Sequence, residues 1–551
     1  MTRYGKLFAL LLLTGGMVLV TAAKKEDSKI TQAEISHAEK LFGLEFTGAE
    51  MDSMLADLTD NLDSYQKIRG FHLDNGVMPA VLFNPIPIGM TFDQERRAFA
   101  VGPAKQLEVP ANIEDLAFWS VRDLAELLRN RKITSSELTR MYLNRLKRYG
   151  PKLECVITLT EELALRQAKR ADDEMAAGRY RGLLHGIPYG AKDLLAVKGY
   201  KTTWGAMPYK DQIIERDATV IKKLEEAGAV LVAKLTLGAL AWGDVWFAGT
   251  TRNPWDVEQG SSGSSAGSAA ATSAGLVGFA IGTETWGSIV SPASRCGVTG
   301  LRPTYGRVSR AGAMALSWSM DKIGPICRTV EDCAIVFHAI MGPDGEDATL
   351  VDLPFNYAPE VNLKTLRIGY IKDSFEEDYA NKDADAATLQ VLRGLGAALL
   401  PIELPDYPVE ALAFILSAEA AAAFDELTRS GEDDLMVRQI RNAWPNVFRT
   451  SRFIPAVEYI QANRLRTVII QEMAKLDVDV YVAPSFVGDN LLLTNLTGHP
   501  CVVLPNGFTD EGRPVSVSFI GRLYDEANLL AVAKAYQDAT DFHEKHPLLE
   551  D

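Results

Sequence analysis

A run of serine and glycine residues is the stretch of this sequence best suited to chemistry. Residues 260–268 read GSSGSSAGS, residues 269–281 are small or apolar, and residues 282–289 read GTETWGSI. Backbone amides can approach a ligand closely in such a run, because few side chains obstruct them. A flexible linker is disfavoured, because the run continues into an apolar segment with no charged tail, which is typical of a buried helix and strand. The pattern therefore predicts a loop that can stabilise an oxyanion.

Two other chemistries compete for this loop. Phosphate cradling is disfavoured, because the sequence lacks GxxxxGK[ST] and no lysine follows the glycines. Residues 263–267 read GSSAG and satisfy G-x-S-x-G, the nucleophile elbow of α/β-hydrolases, with His338 and His499 downstream as candidate bases. This short pattern falls in a region rich in both residue types, so an α/β-hydrolase-type esterase is kept as the alternative.

Motifs on both sides of the loop give the sequence a specific resemblance. They lie between about Ser120 and Glu526 and comprise GIP at 186–188, Lys192-Asp193, RNPWD at 252–256, the Ser/Gly loop, GVTGLRPT at 297–304 and TGHP at 497–500. In these residues the chain resembles the amidase signature family. Its members include fatty acid amide hydrolase, bacterial peptide amidases and the glutaminase subunit of tRNA-dependent amidotransferases.

The resemblance implies a Ser-Ser-Lys catalytic triad. Lys192 takes the place of the family's base, Ser264 that of its proton relay and Ser288 that of its nucleophile, and the two serines stand 24 residues apart, as is usual in the family. Ser265 is expected to support the network by hydrogen bonding to Lys192 or Ser264. The oxyanion hole would consist of the backbone amides of Thr285, Trp286, Gly287 and Ser288.

This triad is chemically coherent, because a lysine can activate a serine hydroxyl when it is neutral. Desolvation lowers the pKa of a lysine, and the apolar residues that follow Lys192, Leu194 to Ala196, favour it. Taken alone, Lys192 would instead be read as a surface ion-pair partner of Asp193. The full set of motifs favours the catalytic interpretation.

Some positions depart from the family pattern. Many relatives have glycine where Trp286 stands, and arginine and an apolar residue where Val290 and Ser291 stand. The indole is expected to reshape the acyl pocket while its backbone amide stays available. The missing arginine argues against glutamine-dependent tRNA amidation.

The expected substrate is a small amide or a peptide C-terminal amide, cleaved with water and without a cofactor or metal, and esters are further candidates. A non-catalytic amidase-like binding protein is the alternative from another class. Aromatic and sulfur-containing side chains that could form an apolar substrate wall, or could equally belong to the core, are Met207, Trp242 and Trp246.

The N-terminus is typical of an export signal. Basic Arg3 and Lys6 precede an apolar stretch from Leu7 to Val20, and small residues follow. We therefore expect residues 1–23 to be a signal peptide of a periplasmic or secreted protein, with no stable membrane span after its cleavage. An uncleaved membrane anchor is the alternative.

The remaining chain is expected to form an N-terminal helical extension with an extended arm (24–113) and an amidase signature domain (114–545). Alternating helices and β-rich runs in the latter predict an α/β fold, a large mixed twisted β-sheet flanked by helices on both faces. The proline-rich residues 78–87 would form the arm on the main domain.

Composition excludes some classes of function. The chain of 551 residues is 47% hydrophobic and 23% charged, as in folded globular proteins. Its net charge of −15, with no Lys/Arg run, disfavours nucleic-acid binding. The five cysteines lack CxxC spacing and are expected to be buried thiols, with a Cys327–Cys333 bridge as the alternative. The sequence does not indicate an oligomeric state.

Overall fold

A computed structural model describes residues 30–549, which form two units, residues 30–73 and 74–549. The predicted signal peptide, 1–23, lies outside the described residues. Between residues 30 and 549, no helix has both the length and the apolar character needed to cross a membrane. The predicted boundary between residues 113 and 114 stays a prediction.

The first unit consists of two helices, α1 (Gln32–Phe42) and α2 (Gly48–Arg69). Each begins with a capping box, in which a threonine accepts a hydrogen bond from a glutamate amide three residues on and the glutamate carboxylate accepts in return. The threonines are Thr31 and Thr47.

The second unit contains all the strands and the remaining helices of the described chain. Its α-helices are α3 (Val121–Arg129), α4 (Ser135–Leu153), α5 (Glu161–Ala176), α6 (Thr219–Glu226), α7 (Ala266–Ser273), α8 (Val290–Cys296), α9 (Val330–Ile340), α10 (Lys372–Glu376), α11 (Lys382–Gly394), α12 (Phe414–Ala423), α13 (Asp425–Ser430), α14 (Trp444–Ser451), α15 (Ala456–Met473), α16 (Asn490–Thr497) and α17 (Glu526–Asp538). Short 3-10 helices span Ile113–Phe118, Met207–Tyr209, Ala239–Ala241, Leu363–Thr365, Val409–Leu412, Glu432–Leu435 and Phe542–Glu544.

The strands form one large sheet and two small hairpins. They are β1 (Val156–Leu159), β2 (Pro188–Lys192), β3 (Val230–Leu235), β4 (Val245–Trp246), β5 (Gly249–Thr250), β6 (Arg252–Asn253), β7 (Asp256–Gly260), β8 (Phe279–Glu284), β9 (Thr299–Arg302), β10 (Lys322–Cys327), β11 (Ile368–Ile371), β12 (Leu399–Ile402), β13 (Val480–Pro484), β14 (Cys501–Phe508) and β15 (Pro514–Gly521). The order in the 11-stranded sheet is β1-β3-β2-β8-β10-β9-β14-β15-β13-β11-β12, while β4-β5 and β6-β7 pair separately.

The large sheet is mixed and covered on both faces. Strand β2 runs parallel to β3 and β8, whereas β10 pairs antiparallel with β8 and β9. Along β8, Phe279 and Ile281 belong to one buried cluster and Ala280 belongs to the other. Because side chains alternate between the faces of a strand, each face carries its own core. The predicted α/β fold is confirmed.

Two strands and one buried helix position the candidate site. Strand β2 ends at Lys192, and β8 ends at Glu284, directly before residues 285–288. The Ser/Gly loop leads into helix α7, in which every residue is buried. The small residues of α7 let the helix approach the sheet closely, which brings the loop to the ends of β2 and β8.

An extended segment of the second unit precedes its first helix. Phe83 packs edge-on against Tyr305, with 5.0 Å between ring centroids, and the Arg466 guanidinium lies 3.6 Å from the Phe83 ring centroid. Residues 78–87 contain neither helix nor strand, because their prolines lack amide donors. The five cysteines are buried free thiols.

Candidate active site

Lys192 lies at the end of β2 and is completely buried. Its Nζ lies within hydrogen-bond distance of Ser264 Oγ at 2.8 Å, Ser265 Oγ at 3.1 Å and Thr283 Oγ1 at 2.8 Å. The structure therefore brings three of the predicted site residues into direct contact. Thr283, the further partner, was not predicted.

The environment of Lys192 favours a neutral amine. Burial holds the pKa of Lys192 well below its ordinary value, against the weaker opposing effects of Asp321 and Glu284. The neighbouring Asp193 does not compensate, because its carboxylate pairs with Lys234 at 2.6 Å, and both side chains are buried. The interpretation of Lys192 as a surface partner of Asp193 is therefore wrong. Asp193 also accepts hydrogen bonds from the amide and hydroxyl of Thr203.

The Ser/Gly loop approaches another backbone segment very closely. A Cβ added to Gly263 would lie 1.8 Å from the carbonyl oxygen of Gly243, so only glycine fits. The next peptide bond, Gly263–Ser264, is cis. Ser265 accepts a hydrogen bond from the Thr283 amide at 3.1 Å and donates one to the Thr283 carbonyl at 3.0 Å. Ser265 thus joins the loop to β8 as well as to Lys192.

Residues 285–288 present a set of backbone donors. Among residues 30–549, none accepts a hydrogen bond from the amides of Thr285, Trp286, Gly287 or Ser288. Gly287 has a φ of +80°, a conformation that side chains rarely adopt, and it permits this turn. The carbonyl of Ser288, whose side chain is buried, accepts from the Ser265 amide at 3.1 Å and so ties the two loops together. These amides are available to a negatively charged oxygen.

Glu284 fixes the far end of this amide loop. Its Oε2 accepts from the amides of Ile289 at 2.8 Å and Val290 at 3.0 Å, the start of α8. Its Oε1 accepts from Arg302 Nη1 at 2.8 Å and Asn495 Nδ2 at 2.8 Å. Burial alone would raise the pKa of Glu284, but the charge and hydrogen bond of Arg302 lower it to about 2. Glu284 is therefore a buried carboxylate that holds the loop.

Asp321 holds the near end of the same loop. Its Oδ1 accepts from Thr285 Oγ1 at 2.5 Å, and its Oδ2 accepts from the amides of Leu316 and Ser317. Burial raises the pKa of Asp321, and these hydrogen bonds oppose that effect. Neither Asp321 nor Glu284 was predicted, because no local spacing relates them to the serines.

A cavity of about 570 Å³ adjoins this site. Thr283, Thr285 and Asp321 contribute to its lining, and so does Ala241, two residues before the Gly243 that packs on Gly263. Met207, Trp242 and Trp246, the predicted substrate wall, are absent from the lining of this cavity. The Arg438 guanidinium lies over the Trp242 ring at 4.3 Å, and Trp246 packs edge-on against Phe247.

The two histidines of the α/β-hydrolase alternative are engaged elsewhere. His338 is exposed and stacks on Phe99, with 4.2 Å between ring centroids. His499 Nδ1 is 2.8 Å from Thr497 Oγ1, and burial lowers the pKa of His499 to about 3. Ser264 Oγ instead forms a hydrogen bond with Lys192 Nζ. Within residues 30–549, no group of His, Cys, Asp and Glu side chains could hold a metal ion.

Comparison with known proteins places this arrangement in a family. The family model described as Amidase matches residues 137–530. The chain belongs to the amidase family. This membership confirms the predicted resemblance and supports action on the carbon–nitrogen bond of an amide.

Individual relatives cover most of the chain. The A-type subunit of glutamyl-tRNA(Gln) amidotransferase from Acinetobacter baumannii is 36% identical over 484 residues, which span 78% of this chain and 98% of that protein. The peptide amidase structure from Stenotrophomonas maltophilia is 30% identical, with a TM-score of 0.69, over 78% of this chain and 98% of that one. The structure of the A-type amidotransferase subunit from Thermotoga maritima is 28% identical, with a TM-score of 0.64, over 78% and 96%. Relatives of this amidase thus include both hydrolase and amidotransferase components.

The Glu284→Gln variant is expected to unfold more easily than the wild type. Removing the carboxylate leaves buried Arg302 without its ionic partner, which costs about 3–5 kcal/mol of unfolding free energy. Urea denaturation followed by tryptophan fluorescence measures the loss. The matched control is Glu258→Gln, at an exposed position in β7, which should shift the midpoint little. Equal midpoints for both variants would contradict a clamping role for Glu284.

Proposed function

We propose that this amidase hydrolyses a small amide or a peptide C-terminal amide through an acyl intermediate on Ser288. The supporting observation is the buried Lys192 amine, which lies 2.8 Å from Ser264 Oγ and has no carboxylate within ion-pair distance among residues 30–549. In this proposal Lys192 is the base, Ser264 the relay and Ser288 the nucleophile. Water and the amide are the reactants, and an ester could enter the same cycle.

Proton transfer follows from the chemistry of a neutral lysine. The lone pair of Lys192 accepts the Ser264 hydroxyl proton while Ser264 accepts the proton of Ser288. Ser288 Oγ attacks the amide carbonyl, and the resulting tetrahedral oxyanion receives hydrogen bonds from the free amides of residues 285–288. Each such donor is worth about 3–4 kcal/mol of barrier. The relay then returns a proton to the departing amine, and water releases the acid from Ser288 by the reverse path.

Two features favour a hydrolase over a glutaminase subunit. Trp286 stands beside the nucleophile with its indole 37% exposed, where many family members have glycine. Val290, at the position of the arginine found in relatives, is a buried apolar residue at the start of α8, so the position offers no guanidinium to a glutamine carboxylate. We further propose export of the protein, on the composition of residues 1–23.

Replacing the nucleophile should separate catalysis from folding. Ser288→Ala is expected to lower amide turnover by at least about 10³-fold, because alanine lacks the hydroxyl that forms the proposed acyl intermediate. A library of primary amides, with ammonia release as the readout, measures the effect. The matched control is Ser268→Ala, a buried serine of the same segment that hydrogen-bonds Ile281 O and not Lys192. Equal activity of Ser288→Ala and wild type would refute the proposed nucleophile.

The pH profile tests the lysine base. Because the neutral amine is the active form and burial lowers its pKa, kcat/KM should rise with pH through a pKa well below that of a free lysine. Activity should therefore persist below the pH range of an ordinary lysine and be lost as the pH falls through the lowered pKa of Lys192. Lys192→Arg should be inactive throughout, since a guanidinium stays charged. A rise that begins only near pH ~10, the range of an ordinary lysine, would contradict a buried neutral base.

A further inference from the structure

The cavity beside the candidate site has a wall that lies outside the matched family region. Residues 74–78 contribute to its lining, whereas the Amidase match begins at residue 137. We call residues 74–78 the wall segment. A turn closes within it, as the Val77 amide donates to the Asp74 carbonyl at 2.9 Å. The wall segment therefore adds to the cavity a surface that the matched region does not encode.

One asparagine attaches the wall segment to the rest of the lining. Asn75 Oδ1 accepts from the Ala315 amide at 2.6 Å, while its Nδ2 donates to the Ala315 carbonyl at 2.9 Å and the Ala423 carbonyl at 3.3 Å. Ala315 itself lines the cavity, between Met314 and Leu316. Because the amide side chain pairs with both backbone groups of one residue, the wall segment has a defined position at the cavity.

The cavity lining indicates the chemistry of an occupant. Apolar side chains in the lining are Leu194, Ile214, Met314, Leu316 and Ile323. The indole Nε1 atoms of Trp204 and Trp318, also lining residues, are buried and have no acceptor among residues 30–549. Buried donors without partners are costly, so an occupant with acceptor oxygens is favoured.

Four charged residues of the lining form ion pairs with one another, while Asp74, Asp321 and Lys322 also contribute to the lining. Arg216 pairs with Glu346, and Arg310 pairs with Asp347 at 3.0 Å. All four residues line the cavity. A charged occupant would have to compete with these pairs, so a neutral one is favoured.

We propose that the wall segment determines specificity in an acyl-binding cavity, which takes the apolar acyl group of a neutral amide. The inference rests on the proposed function, because the acyl group must reach the cavity from an ester of Ser288. Thr283 and Thr285 connect the cavity with the candidate active site, since both line the cavity. Thr283 also contacts Lys192, and Thr285 begins the amide loop. Val77 and Met78 would then limit the length of the acyl chain.

A bulky residue at Val77 tests this assignment. Val77→Trp adds an indole to the lining and should lower kcat/KM for long-chain primary amides about tenfold or more, while short ones such as acetamide and butyramide change less than about twofold. The matched control is Val81→Trp, a valine of the same extended segment that is 87% exposed and absent from the lining. It should leave the whole series unchanged.

Releasing the wall segment provides a second variant. Asn75→Ala removes its attachment to Ala315 and should raise turnover of long amides relative to short ones. Asn84→Ala, whose side chain accepts a hydrogen bond from the nearby Ile86 amide, should not. A uniform loss of kcat over the whole series would overturn the proposal. It would show that Asn75 acts on the amide loop through Leu316 and Asp321 instead.

A covalent probe separates this proposal from the proposed function. Fluorophosphonates carrying an ethyl or a dodecyl chain report the rate of Ser288 modification without a known substrate. We expect Val77→Trp to slow the dodecyl probe selectively. If the wild type reacts with both probes and Val77→Trp slows neither, only the role of the wall segment is refuted. If neither probe modifies Ser288 and no amide is turned over, the proposed function fails and the role of the wall segment fails with it.

Discussion

The structure depends on burying the Lys192 amine without a compensating charge. Three side-chain hydroxyls surround its Nζ, while the carboxylate next to it in sequence is committed to Lys234. A carboxylate is the partner that normally stabilises a buried ammonium, and none among residues 30–549 forms an ion pair with Lys192. A neutral amine can instead both donate to and accept from hydroxyl groups. The arrangement is costly for an ion and well suited to a base.

Two buried carboxylates keep the surrounding loops in place. Asp321 holds Thr285 at the start of the amide loop, and Glu284 holds Ile289 and Val290 at its end. Between these anchors the amides of residues 285–288 are left without acceptors within residues 30–549. Preorganised donors of this kind stabilise charge that develops during a reaction, since they need little reorganisation when it appears. In the proposed mechanism, the two carboxylates and the buried lysine therefore serve the same acyl-transfer step.

The sequence predicted the fold and the juxtaposition of Lys192 with Ser264, because both residues lie in motifs that resemble those of the amidase signature family. Its prolines also predicted the extended backbone of residues 78–87, which contain neither helix nor strand. The Glu284 clamp could not be predicted in this way. Asn495 reaches it across 211 residues, and Arg302 reaches it from β9, so the cluster exists only after the sheet is assembled.

One other interpretation failed because contact partners depend on the strand register. Asp193 follows Lys192 directly but pairs with Lys234, which lies on β3, the parallel neighbour of β2. The assignment of Met207, Trp242 and Trp246 to a substrate wall stays a prediction, and the lining of the cavity beside the site includes the wall segment and residues 310–316. The spacing of residues along one segment does not show which residues of other segments they will contact.

Mapping the acyl group most directly tests the central claim that Ser288 is the nucleophile and Ser264 the relay. No lysine or arginine lies between these serines, so trypsin leaves both on one peptide, whereas chymotrypsin can cut after Phe279. The enzyme would be quenched in acid during turnover of a slowly hydrolysed ester, digested, and analysed by tandem mass spectrometry. The account predicts the acyl mass on Ser288 and none on Ser264. An acyl group on Ser264 would contradict it.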